Sequence, residues 1–385
     1  MNPRFQRLMH EATRLTRFGN LKAATAAIQS ALARAPAEPP PGAHEGDVID
    51  AEVRELPEHP ALAPGTPVAP QAAPRVAPDV VPHAPVPAVD EQPAPPARVR
   101  DEAFIAGRFG SGTSARDYKL YVPPHTEGRS LPLVVMLHGC TQNPDDFAAG
   151  TGMNDAARDE GCFVLYPAQS SQANPQRCWN WFKHSHQERG RGEPAIIAAM
   201  TQDVVARHAI DPSRVYVAGL SAGGAMAAIV AQAYPDVFAA AGVHSGLPQG
   251  SARDLPSALQ AMKAGSMGAA PQARTPVIVF HGDADGTVHP RNGSNLFAAA
   301  GGSGQAHTET GAVTGGRSWT RRVRTAADGA PVAEYWEVHG APHAWSGGTP
   351  RGSYTDPLGP DATREMLRFF RSHALPAAQG GTIAP

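Results

Sequence analysis

The stretch Arg214-Val-Tyr-Val-Ala-Gly-Leu-Ser221-Ala-Gly-Gly-Ala-Met226 decides the fold. An apolar run of alternating β-branched and aromatic residues ends in Gly-x-Ser-x-Gly and passes into a helical pattern over residues 225–234. A serine hydroxyl is a poor nucleophile until it stands clear of the backbone, where a histidine reaches its proton and a backbone N–H meets an oxyanion. A sharp strand-to-helix turn provides that position. Gly219 and Gly223 flank the serine because a side chain at either would strike neighbouring backbone, and Gly224 lets the following helix lie close to a sheet. An ordinary Gly/Ser-rich turn is the plainer reading of an isolated motif; the strand before it and the helix after it argue for a nucleophile elbow.

The 385 residues, 42% hydrophobic and 18% charged, suffice for one large core with appendages. A formal net charge of −2 gives no electrostatic footprint for nucleic acid or an anionic membrane, so a small molecule or a neutral polymer is the expected substrate. No run approaches the ~20 apolar residues of a membrane span, and the first residues lack the apolar stretch of a secretory signal. The cytoplasm is therefore the expected compartment. Cys140, Cys162 and Cys178 are too few, and odd in number, for a disulfide framework.

Around the elbow the chain divides by composition. Residues 1–35 place Phe5, Leu8, Met9, Ala12, Leu15 and Phe18, then Leu21, Ala24, Ile28 and Leu32, on either side of Gly19-Asn20, which reads as a helical hairpin. It is similar to a single tetratricopeptide unit, but no second copy follows to stack upon it. Its expected role is docking, to this protein, another protein or a granule, with a frayed tail as the alternative. Residues 36–97 hold 17 of the 39 prolines with Ala, Val and scattered acids, a composition that stays disordered or extended. A catalytic domain is expected over 98–373 and a flexible tail over 374–385. Within the domain, strands are expected at 116–122, 133–137, 162–166, 238–243, 276–280 and 332–338, alternating with helices at 194–208, 292–300 and 360–373. That alternation implies an α/β fold, a mostly parallel sheet with helices on both faces. The polar stretch 168–192, which carries Cys178-Trp-Asn-Trp-Phe182, is expected to cap the substrate site.

A serine nucleophile needs a base and an acid to orient it, each on a loop at the carboxyl end of a strand, in the order Ser, Asp/Glu, His. His281-Gly-Asp-Ala-Asp285 follows one strand and His339-Gly-Ala-Pro-His343 another. Asp285 and His343 are the expected acid and base. Asp283 and His339 rival them, because spacing alone cannot choose between carboxylates or imidazoles two or four residues apart. The Asp-Ala-Asp-Gly fragment is no calcium loop, since its twelfth position is Ser294 rather than a bidentate Glu. No metal or other cofactor is expected. The N–H groups of Cys140, after an early strand, and Ala222, after the serine, are the expected oxyanion hole. Trp179, Trp181 and Trp345 are candidates for substrate binding, with core packing the alternative for each. Cys140 and Cys178 are either bridged beside the oxyanion loop or free thiols.

At these residues the chain resembles the polyhydroxybutyrate depolymerase family of esterases within the α/β-hydrolases. The resemblance runs from about Arg116 to His373 and rests on LHGCTQ at 137–142, CWNWF at 178–182, GLSAGGAM at 219–226, HGDADGTV at 281–288, HGAPHAWSGG at 339–348 and GSYTDPLGPDATREMLRFF at 352–370. It implies an α/β-hydrolase fold, Ser221, Asp285 and His343 as catalytic triad, Cys140 as an oxyanion donor, and a Cys140–Cys178 bridge in exported members. The implied activity is hydrolysis of poly(3-hydroxybutyrate), related polyhydroxyalkanoates or their oligomers. Feruloyl and acetylxylan esterases are similar over the same motifs, so a small-acyl esterase is the alternative, and many members of the family are extracellular. From another class, the chain reads as a non-catalytic adapter working through its hairpin, against which the complete set of Ser221, Asp285, His343 and flanking glycines speaks. A peptidase is a further reading, since the triad itself does not exclude amides.

Overall fold

A computed structural model of the chain describes residues 102–268, 270–302 and 306–376. The hairpin expected at 1–35, the linker at 36–97 and the tail beyond 376 lie outside the described residues. Strand β1 (Ala103–Phe109) pairs antiparallel with β2 (Arg116–Val122), Phe104 opposite Tyr121. Strand β3 (Leu131–Leu137) is followed by helices α1 (Pro144–Thr151) and α2 (Met153–Glu160), then β4 (Phe163–Pro167) and α3 (Gly192–Arg207). Strand β5 (Ile210–Leu220) runs into α4 (Ala222–Ala233), and β6 (Ala240–His244) is followed by α5 (Leu255–Ala264). Strand β7 (Val277–Gly282) leads to α6 (Arg291–Ala299), and β8 (His307–Ala312), β9 (Ser318–Thr325) and β10 (Pro331–Val338) follow as a meander. The short pair β11 (Trp345–Ser346) and β12 (Thr355–Asp356) precedes α7 (Ala362–Arg371).

One sheet of the described residues has the order β1-β2-β4-β3-β5-β6-β7-β10-β9-β8. Its centre, from β4 through β10, is parallel, and both edges are antiparallel. Parallel strands are buried on both faces and so read as near-continuous apolar runs. In β3 that run splits by the two-residue period: Leu133, Val135 and Leu137 join the core beneath α3, α4 and α6, while Val134 and Met136 join the core beneath α1, α2 and α7.

The expected strands and helices stand within a few residues of these bounds. Several elements escaped sequence reading although their signals are present. Asn143 caps α1 by accepting from the Asp146 N–H (2.9 Å), with Pro144 at its first turn, and Gly152 and Gly161 end α1 and α2 in left-handed conformation. Asp254 and Ser257 form a reciprocal capping box on α5. The two edges, β1 and the β8–β9 hairpin, carry too many half-exposed polar residues to show a clear period.

Candidate active site

The strand order reverses between β3 and β5, and the carboxyl ends at such a reversal border the crevice where ligands bind in open α/β sheets. Ser221 sits between β5 and α4 with φ 58° and ψ −120°, a conformation an L-residue adopts only under strain. The surroundings explain the glycines. A Cβ on Gly223 would lie 1.9 Å from the Leu137 carbonyl oxygen, and one on Gly219 would lie 2.4 Å from the Gly223 carbonyl carbon. The backbone N–H of Ser221 donates to the His244 carbonyl (2.9 Å).

Asp285 and His343 come together. His343 Nδ1 lies 2.7 Å from Asp285 Oδ2, and the other carboxylate oxygen accepts the N–H groups of Thr287 (2.9 Å) and Val288 (2.8 Å). His281 Nε2, which donates to the Val288 carbonyl (2.8 Å), lies 3.3 Å from the same Oδ2. Burial alone would push the Asp285 carboxyl up; the bonds from His281 and His343 outweigh it and hold the group well below the usual carboxylate range. A carboxylate only accepts, so His343 carries its proton on Nδ1 and turns a lone pair outward on Nε2. The rivals pair with each other instead. His339 Nδ1 lies 2.9 Å from Asp283 Oδ2, Asp283 Oδ1 accepts the Gly340 N–H (2.6 Å), and Thr320 Oγ1 lies 2.9 Å from His339 Nε2.

Strand β6 ends in a residue that sequence reasoning missed. His244 accepts the Ser346 N–H on Nε2 (2.9 Å), stacks between Phe280 and Trp345 at 5.8 and 5.1 Å, and offers its carbonyl to Ser221. It therefore joins the elbow to the loop carrying His343. Among the described residues no hydrogen bond links Ser221 Oγ to His343 Nε2; such bonds often tighten only when substrate binds. A histidine closing an apolar strand, one residue beyond the expected end at 243, was the available signal.

Gly139 packs against the elbow, where a Cβ would stand 3.8 Å from Ser221 Cβ. The next N–H, of Cys140, and that of Ala222 donate to no acceptor among the described residues. The loop is held from behind: Gln142 Oε1 accepts the Gly139 N–H (2.9 Å), and its amide donates to Asp146 and to the Ser353 carbonyl. His138 accepts the Gln169 N–H on Nε2 (3.1 Å) and donates from Nδ1 to the Gly139 carbonyl (2.7 Å). Cys140 is bonded to Cys178, and Cys162 is a buried free thiol. Burial pushes that thiol up to about 12, which leaves it unreactive.

The tryptophans correct an expectation. Trp179 and Trp345 are 1% exposed, Trp179 Nε1 donating to the His138 carbonyl (3.1 Å) and Trp345 Nε1 to Thr363 Oγ1 (3.0 Å). They hold the 138–142 and 339–348 loops from inside, because each indole finds both apolar neighbours and an interior acceptor. Trp181 is 5% exposed and packs edge-on to Phe182. The 168–192 stretch is anchored by buried Glu193, which accepts from the Asn180 N–H (2.7 Å), the Asn180 amide (2.7 Å) and the Gln169 amide (2.5 Å).

Two imidazoles at the site tie stability to pH. Burial pushes His138 down to about 4 and His244 down to about 3. Below about pH 6.5 the unfolded chain protonates these groups while the folded chain does not, so stability falls with pH until the folded values are reached. The midpoint of thermal unfolding is expected to drop steadily between about pH 6.5 and 4, and His138→Gln or His244→Gln should flatten that slope. An unchanged slope in both variants would place the acid sensitivity elsewhere.

The mostly parallel sheet with helices on both faces and the strand-turn-helix at Ser221 are those of the α/β-hydrolase fold. An acetyl xylan esterase from Aspergillus awamori shares that fold, with TM-score 0.53 at 20% identity over 70% of this chain and 99% of that one. Residues 116–299 match the family described as esterase PHB depolymerase. Poly(3-hydroxyalkanoate) depolymerase C of Paucimonas lemoignei is 35% identical over 239 residues, which is 57% of this chain and 56% of its own. Feruloyl esterase B of Thermothelomyces thermophilus is 33% identical over 151 residues, 39% of this chain and 50% of that protein. The chain thus spans about half the length of the curated relatives it matches.

Proposed function

We propose that the chain hydrolyses carboxylic esters through an acyl-enzyme on Ser221, and that its substrates are polyhydroxyalkanoates such as poly(3-hydroxybutyrate) or their oligomers. The observation that carries the chemistry is the Asp285–His343 pair at 2.7 Å, its carboxylate buried, in a domain whose elbow holds a strained serine and two unengaged N–H groups. His343 Nε2 takes the Ser221 proton as Oγ attacks the ester carbonyl. The oxyanion receives the N–H groups of Cys140 and Ala222, charge-matched donors that need no reorganisation as the charge develops. The proton on His343 then passes to the departing alkoxide, and water repeats the sequence to release the acid. Asp285 keeps the imidazole in the required tautomer and stabilises its cation; it already accepts two backbone N–H groups and keeps its own proton off. No cofactor enters any step.

The polyester substrate is supported by the family of residues 116–299 and by the depolymerase relative. A small-acyl reading, feruloyl or acetyl, is favoured by the 33% identical feruloyl esterase. Purified protein should be assayed side by side on amorphous poly(3-hydroxybutyrate), soluble hydroxybutyrate oligomers, methyl ferulate and p-nitrophenyl acyl esters. Release of hydroxybutyrate at rates well above those on methyl ferulate is the expected result; the reverse order would move the chain to the small-acyl reading.

Among the described residues no helix is long and apolar enough to cross a membrane. The Cys140–Cys178 bond supports an oxidising compartment rather than the cytoplasm expected from the sequence, since such bonds persist where thiols are not kept reduced. A protein or granule partner for residues 1–35 is part of the same proposal, as the use for a segment that the chemistry does not require.

A further inference from the structure

Behind the oxyanion loop lies a polar cleft of about 360 Å³, lined by residues 168–172 and by Arg108, Asp117, His138, Gln142 and Arg177. Its charge is one-sided. Asp117 is its acidic lining residue, and Arg108 holds that carboxylate at 2.6 Å. The buried Arg116 guanidinium faces Glu193 on the inner side (4.0 Å). His138 is neutral, being pushed down to about 4 by burial first and by the Arg177 charge as well. Arg177 is exposed, and its guanidinium forms no ion pair or hydrogen bond within the described residues. A cation at the mouth of a cleft with no carboxylate against it is an unspent recognition group.

The backbone around it is built to hold this position. Arg177 has φ 53° and Thr141 φ 66°, left-handed conformations that cost a residue with a Cβ, and more so a β-branched one. The two strained residues sit on either side of the Cys140–Cys178 bond, and the Thr141 N–H donates to the Gln176 carbonyl at 2.7 Å. The Cα atoms of the bonded cysteines are 4.2 Å apart, so the Cα of Arg177 lies within about 8 Å of that of Cys140, the oxyanion donor. That separation is within the length of an extended arginine side chain plus a few bonds of substrate.

We infer that Arg177 and this cleft form a carboxylate subsite, so that the preferred ester is one ending in a free acid a few bonds from the bond cleaved. The inference rests on the ester-hydrolase reading and narrows it. In a hydroxyalkanoate oligomer that acid is the chain end itself, on the alcohol side of the terminal ester. Arg177 then pairs with the carboxylate through two parallel N–H···O bonds, the geometry that favours guanidinium over ammonium. Hydrolysis from the acid end of soluble oligomers follows, in preference to attack within a neutral polymer chain.

The test compares the full chain on a 3-hydroxybutyrate dimer as the free acid and as its methyl ester, with p-nitrophenyl acetate as a neutral ester. The free acid is expected to have at least about tenfold higher kcat/KM than the methyl ester, chiefly through KM, with the advantage shrinking as salt screens the pair. Arg177→Gln should remove the preference, its loss on the free acid exceeding its loss on p-nitrophenyl acetate about tenfold or more, and Arg177→Lys should restore part of it. Equal turnover of acid and methyl ester by the wild type overturns the subsite whatever the variants do, as does a preference that survives Arg177→Gln. A wild-type chain that cleaves p-nitrophenyl acetate without preferring the acid leaves the hydrolase reading standing. One that cleaves none of the three esters removes both.

Discussion

Replacing Ser221 with Ala is expected to lower kcat for ester hydrolysis on the order of 10⁴- to 10⁶-fold, the scale at which triad members act as a unit. No other hydroxyl occupies the elbow. The substitution removes one oxygen and leaves the Ser221 N–H bond to the His244 carbonyl in place, so the fold has no reason to change. Alanine at φ 58° carries a strain similar to that of serine, and the thermal midpoint should stay within a few degrees of wild type. A variant keeping more than about a tenth of wild-type kcat would be incompatible with nucleophilic attack by Ser221.

The second large effect separates the two carboxylates of the 283–285 turn. Asp285→Asn should cut kcat by roughly 10⁴, because an amide facing His343 Nδ1 admits the wrong tautomer and no longer steadies the imidazolium. Asp283→Asn should leave kcat within about threefold and lower the thermal midpoint by a few degrees. Its carboxylate is about two-fifths exposed and holds His339 and the Gly340 N–H, a latch between two loop ends whose net contribution is of order 1 kcal/mol. Steady-state kinetics and melting curves on both variants decide between them. The reverse pattern would make Asp283 the acid.

Why the sequence left that choice open is visible in the sheet. Strands β7 and β10 are parallel neighbours with Gly282 opposite Val338. The first residues past their ends, Asp283 and His339, therefore meet each other, and the residues further out, Asp285 and His343, meet across the top of the same loops. Both Asp and both His had been singled out, but pairing near with near and far with far requires the register, which no spacing along one strand contains. The elbow was legible for the opposite reason. Its glycines are demanded locally, by backbone atoms of β3 and α4 that leave no room for a Cβ. His244 was not legible because its work is tertiary, joining the backbone of one loop to that of another. Between pocket and core the tryptophans were open, since Trp179 lies in a long polar loop and Trp345 two residues past His343; each has an interior acceptor that repays burial of the indole N–H.

Covalent trapping tests the central claim most directly. The full chain is incubated with a p-nitrophenyl phosphonate ester, whose phosphorus resembles the tetrahedral intermediate, and the adduct is located by peptide mass spectrometry. Stoichiometric labelling of Ser221, in step with loss of esterase activity and absent from Ser221→Ala, is the predicted result. Inactivation with the label on another residue, or full esterase activity in a chain labelled at Ser221, would contradict it.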